Sequence, residues 1–252
     1  MSQQNPGRTK ILLRSLGLQL FLNYKTMQGP GYLLALRGEG RKLDEQATRT
    51  AASFINGHPA FSGIALGALS KRLREPVDDQ KAKELMEWKR SLSTPLGAIG
   101  DSLIWERYKP GLLAVLVLLM LIPTNNWMTN WVWGAASVLA IYNLSLWWFR
   151  NWGFSHGFAL GERVSELALH SALPAIQKFM RGFGIAAAGA VIGATLSRIT
   201  GDSGVSLLQY IAGFIVMVGA VYMRFSTLTV AFVTVLCSFA IYYFTISTPL
   251  LP

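Results

Sequence analysis

Apolar side chains gather into three long runs, at 131–149, 205–223 and 225–246. Each is close to the ~20 residues a helix needs to cross a bilayer core. Two shorter runs, 111–122 and 183–197, cross only with help from their flanks, or are re-entrant. Upstream the pattern is finer, and Gly/Pro breaks cut it into short helices. Residues 9–28 predict the first, ended by Gly29-Pro30-Gly31, with Ser15, Gln19, Asn23 and Thr26 on one polar face. Such a helix belongs inside a membrane complex or flat on its surface. Residues 43–56 predict a second, with Asp44 and Glu45 where the macrodipole favours anions. Residues 60–74 predict a third, and 78–92 a fourth whose DDQKAKELMEWKR reads as solvated. The expected fold is an all-α membrane protein. In it, 1–110 forms a cytoplasm-side and membrane-embedded helical region with a re-entrant turn near 95–105, and 111–252 holds about five transmembrane helices.

Charge sets the orientation. Of the 23 Lys/Arg and 13 Asp/Glu, residues 1–110 hold 17 and 10, so the net +10 divides as +7 and +3. Only 14% of the chain is charged, against roughly 25% in soluble proteins. Positive charge beside hydrophobic spans meets lipid head groups rather than nucleic acid. The loop 124–130 has no charge, whereas 150–181 carries Arg150, Arg163, Lys178 and Arg181 against Glu162 and Glu166. The positive-inside rule therefore places 1–110 and 150–181 in the cytoplasm. Five crossings follow, N-terminus in and C-terminus out, with Trp127, Trp131, Trp147, Trp148 and Trp152 at the interfaces. No cleavable signal peptide is expected, and the single Cys237 excludes a disulfide framework.

Two segments carry candidate chemistry. In PLGAIGDSLIWERYKP (95–110), Gly97 and Gly100 allow a tight turn with Asp101 beside it. Asp101 is costly at membrane depth and so a functional candidate there; alternatively it caps the helix that carries Trp105. In FINGHPAF (54–61), Asn56-Gly57 stops one helix and Pro59 opens the next. Asn56 can offer its amide to sugar hydroxyls, while His58 reads as a polar turn residue. Gly63-x-x-x-Gly67 and Gly189-x-x-x-Gly193 are small-residue pairs that let helices pack closely. The sequence has no nucleotide loop, nucleophile elbow or zinc motif, so neither catalysis nor a cofactor or metal is expected.

The order LLRS (12–15), Asn23 with Met27-Gln28, FINGHP (54–59), PLGAIGD (95–101), Trp105 and Pro110 resembles the IID component of the mannose/fructose/sorbose phosphotransferase family. The resemblance runs from about residue 12 to 110. It implies a bacterial inner-membrane subunit that pairs with a IIC subunit in an oligomeric complex. Cytoplasmic IIA and IIB phosphocarriers would then relay phosphate to the incoming hexose. Matched position by position, it implies Asn23, Gln28, Asn56 and Asp101 as sugar-binding residues. Amides and a carboxylate suit that role because they bond several hydroxyls at once. Leu22 stands where the family often has Trp, and Lys25 where it often has an acidic residue. These departures point to a different sugar, or to a scaffold or regulatory subunit derived from the family.

Overall fold

The computed structural model describes residues 7–40, 42–121, 127–166 and 173–200. Among them every regular element is helical, and pairing between extended segments is limited to two isolated bridges. The runs 205–223 and 225–246 lie outside the described residues. By contacts the chain forms two compact units. Unit 1 takes the described residues of Met1–Asp101 and Leu144–Pro174; unit 2 takes those of Ser102–Asn143 and Ala175–Pro252.

Unit 1 begins with α1 (Arg8–Arg14), which tightens into a 3-10 helix over Ser15–Phe21 and then leaves helical geometry at Leu22. The single helix expected over 9–28 is therefore broken. A 3-10 helix turns every three residues rather than 3.6, so positions four apart no longer share a face. The polar stripe divides accordingly. Ser15 is buried, its hydroxyl donating to the Leu12 carbonyl (2.6 Å), while Gln19 is exposed. Leu13, Leu16, Leu20, Phe21, Leu22 and Tyr24 are exposed as well.

The next helices are α2 (Gly29–Leu36), α3 (Glu45–Ala52), α4 (Ser62–Arg72), α5 (Asp79–Ser91) and α6 (Ser93–Gly100). Two of them start as short acidic side chains dictate. Asp44 accepts from the Ala47 N–H (2.6 Å) and Asp78 from the Lys81 N–H (2.7 Å), each satisfying an orphan donor of a first turn. Asp44→Ala is expected to cost about 1 kcal/mol, seen as a small drop in the melting temperature of the purified complex. Helix α5 is not solvated all round: Ala82 and Leu85 face inward, and Lys89 has no exposed surface.

Helix α4 is buried from Ser62 to Ser70 because a much longer helix, α8 (Trp127–Leu160), crosses it. The part of α8 from Leu144 onward belongs to unit 1. At the crossing the backbones touch. A Cβ on Gly63 would collide with the Arg150 carbonyl oxygen, one on Gly67 with that of Phe154, and one on Gly157 with that of Ile64. The pair Gly63/Gly67 thus meets Gly153/Gly157 within one chain. Helix α8 stops at Gly161, whose φ of +59° suits a residue without Cβ. There Lys71 Nζ donates to the Ala159 carbonyl (2.9 Å) and Arg72 pairs with Glu162.

In unit 2, Ser102–Tyr108 belongs to a π-helical segment over Asp101–Tyr108, followed by α7 (Lys109–Leu121). Pro110 lacks an N–H and its ring crowds the carbonyl four residues back, a local reason for the helix to widen. Within it the Arg107 side chain donates from Nη1 to the carbonyl and hydroxyl of Ser102, both at 2.6 Å. Gln177 in α9 (Leu173–Thr200) donates to the same hydroxyl at 3.3 Å. Gly111 lies against Phe183 and Gly184, and Tyr108 stacks on Tyr142.

The helices outrun the apolar runs that predicted them. Helix α8 continues past residue 149 through Arg150 to Leu160, so part of the segment expected to be a charged loop is helix. Helix α9 likewise extends the run 183–197 at both ends. Among the described residues one stretch, the 34 residues Trp131–Val164, is long and apolar enough to cross a membrane.

Candidate functional site

Four backbone segments of unit 1 converge on one polar strap. The first is a turn built by Asn23. Its Oδ1 accepts from the N–H groups of Lys25 (3.0 Å) and Thr26 (2.9 Å), and its Nδ2 donates to Thr26 Oγ1 (3.1 Å) and to the Met27 carbonyl (3.3 Å). Asparagine suits this turn because it offers an acceptor and two donors on one short stem. The turn drives Met27 to φ +52°, a left-handed conformation uncommon outside Gly and Asn. Such local strain concentrates at functional sites.

The second segment, after α3, runs beside this turn. Ile55 N–H donates to the Thr26 carbonyl (3.3 Å), Gln28 N–H to the Ile55 carbonyl (3.0 Å), and Gln28 Nε2 to the Gly57 carbonyl (2.8 Å). Gln28 is buried, and its Oε1 has no partner among the described residues. Asn56 is exposed, and its N–H donates to Ser93 Oγ at the start of α6 (3.0 Å).

The third segment is α6. Gly100 packs directly on the His58 side chain, leaving no room for a Cβ. Asp101 follows it with helical angles and is exposed. The expected turn at 95–105 is therefore a change of helical register, from α to π, and Asp101 does not open a helix as an N-cap. The fourth segment is α8, from which buried Arg150 donates to the Pro59 carbonyl through Nε (3.2 Å) and Nη2 (3.1 Å).

His58 links these parts. Its Nδ1 accepts from the Ala60 N–H (3.2 Å), which puts the proton of a neutral ring on Nε2. Burial holds the imidazole below its ordinary pKa, the Asp101 carboxylate pulls it back up, and Arg150 pushes it down again. So Asn23, Gln28 and Asn56 share one strap, and Asp101 acts electrostatically on His58, two residues after Asn56. Arg150 also holds the strap, and Lys89 Nζ donates to the carbonyls of Thr50, Ala51 and Ser53 just before it, although neither was singled out in the sequence. A cation in a depleted apolar run was the available signal for Arg150.

The described residues thus hold one helix of membrane length and, in unit 1, a strap that places three side-chain amides near a carboxylate. A family model described as the PTS system mannose/fructose/sorbose family IID component matches residues 4–247, and the chain belongs to that family. It is thus a membrane permease subunit of the sugar phosphotransferase system. Among solved structures, a chain in the cryo-electron microscopy structure of the mannose transporter ManYZ with microcin E492 (MceA) is similar in fold. The identity is 16%, the alignment covers 95% of this chain and 96% of that one, and the TM-score is 0.50. No curated protein matches the chain.

Proposed function

We propose that the chain lines a hexose path together with a IIC membrane subunit, with cytoplasmic IIA and IIB proteins supplying phosphate. The observation that carries this is the strap, which gathers Asn23, Gln28 and Asn56 near Asp101. Exposed Asn56 and Asp101 would bond sugar hydroxyls directly. Half-buried Asn23 and buried Gln28 would shape the wall and hold the Gly57 carbonyl. The exposed apolar row from Leu13 to Tyr24 supports a protein or lipid neighbour, since so much contiguous apolar surface marks an interaction site. The π segment supports a re-entrant passage near 95–105, where irregular helix is tolerated against a wet cavity. The same reading keeps 1–110 as the embedded helical region and 111–252 as the crossing region. It has five crossings in the bacterial inner membrane, with the N-terminus inside. The exposed Trp131, Trp133 and Trp148 support interfacial placement of the ends of the apolar run 131–149 within α8.

A second reading, a scaffold or regulator derived from the family, is favoured by Leu22 and Lys25, both exposed where the turn opens. Co-expression with a IIC-type subunit separates the two. Co-elution together with phosphoenolpyruvate-dependent uptake of labelled mannose or fructose that requires this chain is the expected result. Co-elution without uptake of any hexose would establish the scaffold instead. A C-terminal reporter fusion active only in the cytoplasm would overturn the orientation.

A further inference from the structure

The last carbonyls of any helix lack intrahelical donors, and α3 ends immediately before the strap. The carbonyls of Ala51 and Ser53, and that of Thr50, which also accepts from the N–H and hydroxyl of Ser53, converge on one side chain from another helix. Lys89 Nζ donates to them at 3.2, 2.7 and 2.8 Å. An ammonium carries three hydrogens, one for each. It is wholly buried and lies 5.3 Å from the centroid of the Tyr32 ring, a cation–π contact on α2. Gly29, at the start of α2, is pressed against the Ala52 and Ser53 carbonyls from another side, where a Cβ would collide. One cation therefore ties together the end of α3, the start of α2 and the residues that lead into Phe54–His58.

We propose that Lys89 is a positioning residue for the sugar site. By gripping the 50–53 carbonyls it sets the register of 53–58 against 26–28, and with it the placement of Asn56 and Gln28. This rests on the reading of the strap given under Proposed function. Burial works against the charge and pushes the ammonium down to about 7. Three carbonyl dipoles and an aromatic face work for it and offset part of that cost.

The test uses the chain purified with its membrane partner, and reads amide hydrogen exchange of Gln28 and Ile55, whose N–H groups pair the two segments. Lys89→Met keeps the volume and removes every donor. It is expected to speed exchange at both amides about tenfold or more, the factor that corresponds to 1.4 kcal/mol of easier opening. It should also raise the half-saturation concentration for mannose uptake while sparing the maximal rate. Leu85→Ala, a buried control on the same helix, should lower the melting temperature without either local effect. Exchange in Lys89→Met as slow as in the parent would overturn the proposal. Faster exchange with unchanged uptake would uphold Lys89 as the anchor and overturn the sugar reading of the strap. Should Lys89→Met not be recovered, Lys89→Gln, neutral and too short for three carbonyls, serves in its place, and no acceleration there would equally overturn the proposal.

Discussion

Gly157→Ala is expected to leave little folded chain to purify, although it adds one methyl group. At the α4/α8 crossing a Cβ on Gly157 would collide with the Ile64 carbonyl oxygen and press on its C and Cα atoms. Backbone cannot turn aside as a side chain can, so the helices must separate along the whole contact. Ordinary overpacking costs about 1–3 kcal/mol because rotamers absorb it; here the loss extends to Gly63, Gly67 and Gly153 and should exceed that range. Close approach at small residues is the main source of helix association in a membrane, where apolar burial gives no drive. Gly97→Ala is the matched control. That glycine lies inside α6, and beyond its chain neighbours and its own helix backbone no atom of the described residues lies within 4 Å of its added Cβ. Removing the entropy cost of a helical glycine there should stabilise by about 0.5–1 kcal/mol. Melting temperature and size-exclusion profile of the two variants, expressed with the membrane partner, decide the matter. Equal behaviour would mean that the helices do not cross at these glycines.

Under the proposed sugar path, Asp101→Ala should abolish hexose uptake while expression and partner binding persist. The carboxylate is exposed just past α6, and it contributes to no helix cap whose loss would destabilise the fold. Each bond from a charged group to a hydroxyl is worth about 1.5–3 kcal/mol, and a carboxylate can make more than one. Losing two would weaken binding by a factor of hundreds or more. Asn56→Ala removes a neutral amide and should weaken uptake less, about tenfold per bond of roughly 1 kcal/mol or somewhat more. Uptake of labelled mannose against concentration checks both. Normal transport by Asp101→Ala would remove Asp101 from the site and leave its effect on His58 as its only role.

Much of the framework was legible because it depends on neighbours in sequence. Asp44 and Asp78 start α3 and α5 through bonds to residues three positions on, whereas Gly29-Pro30, read as a break, in fact opens α2. The helix over 9–28 was misread because its apolar spacing fits a 3.6-residue period, while the Asn23 turn and the 3-10 segment answer to a different one. The turn expected from Gly97 and Gly100 became helix. Gly100 is small because His58 lies against it, not because the chain bends there.

By itself the sequence determined that the chain is helical, embedded in a membrane and a IID component. Run length, charge placement and the order of short motifs are all properties of the string. Only the tertiary structure decided which distant groups meet. Arg150 caps a carbonyl 91 positions away, and Gly63 packs on the backbone of Arg150 and Phe154 in the same chain. Lys89 shows the reason most plainly. In DDQKAKELMEWKR it has the same letter as its solvated neighbours, although it lies on the face of buried Ala82 and Leu85, seven and four residues back. What sets it apart is a ring of three carbonyls from α3 and its following residue, and a backbone acceptor brought near by folding has no letter in a sequence.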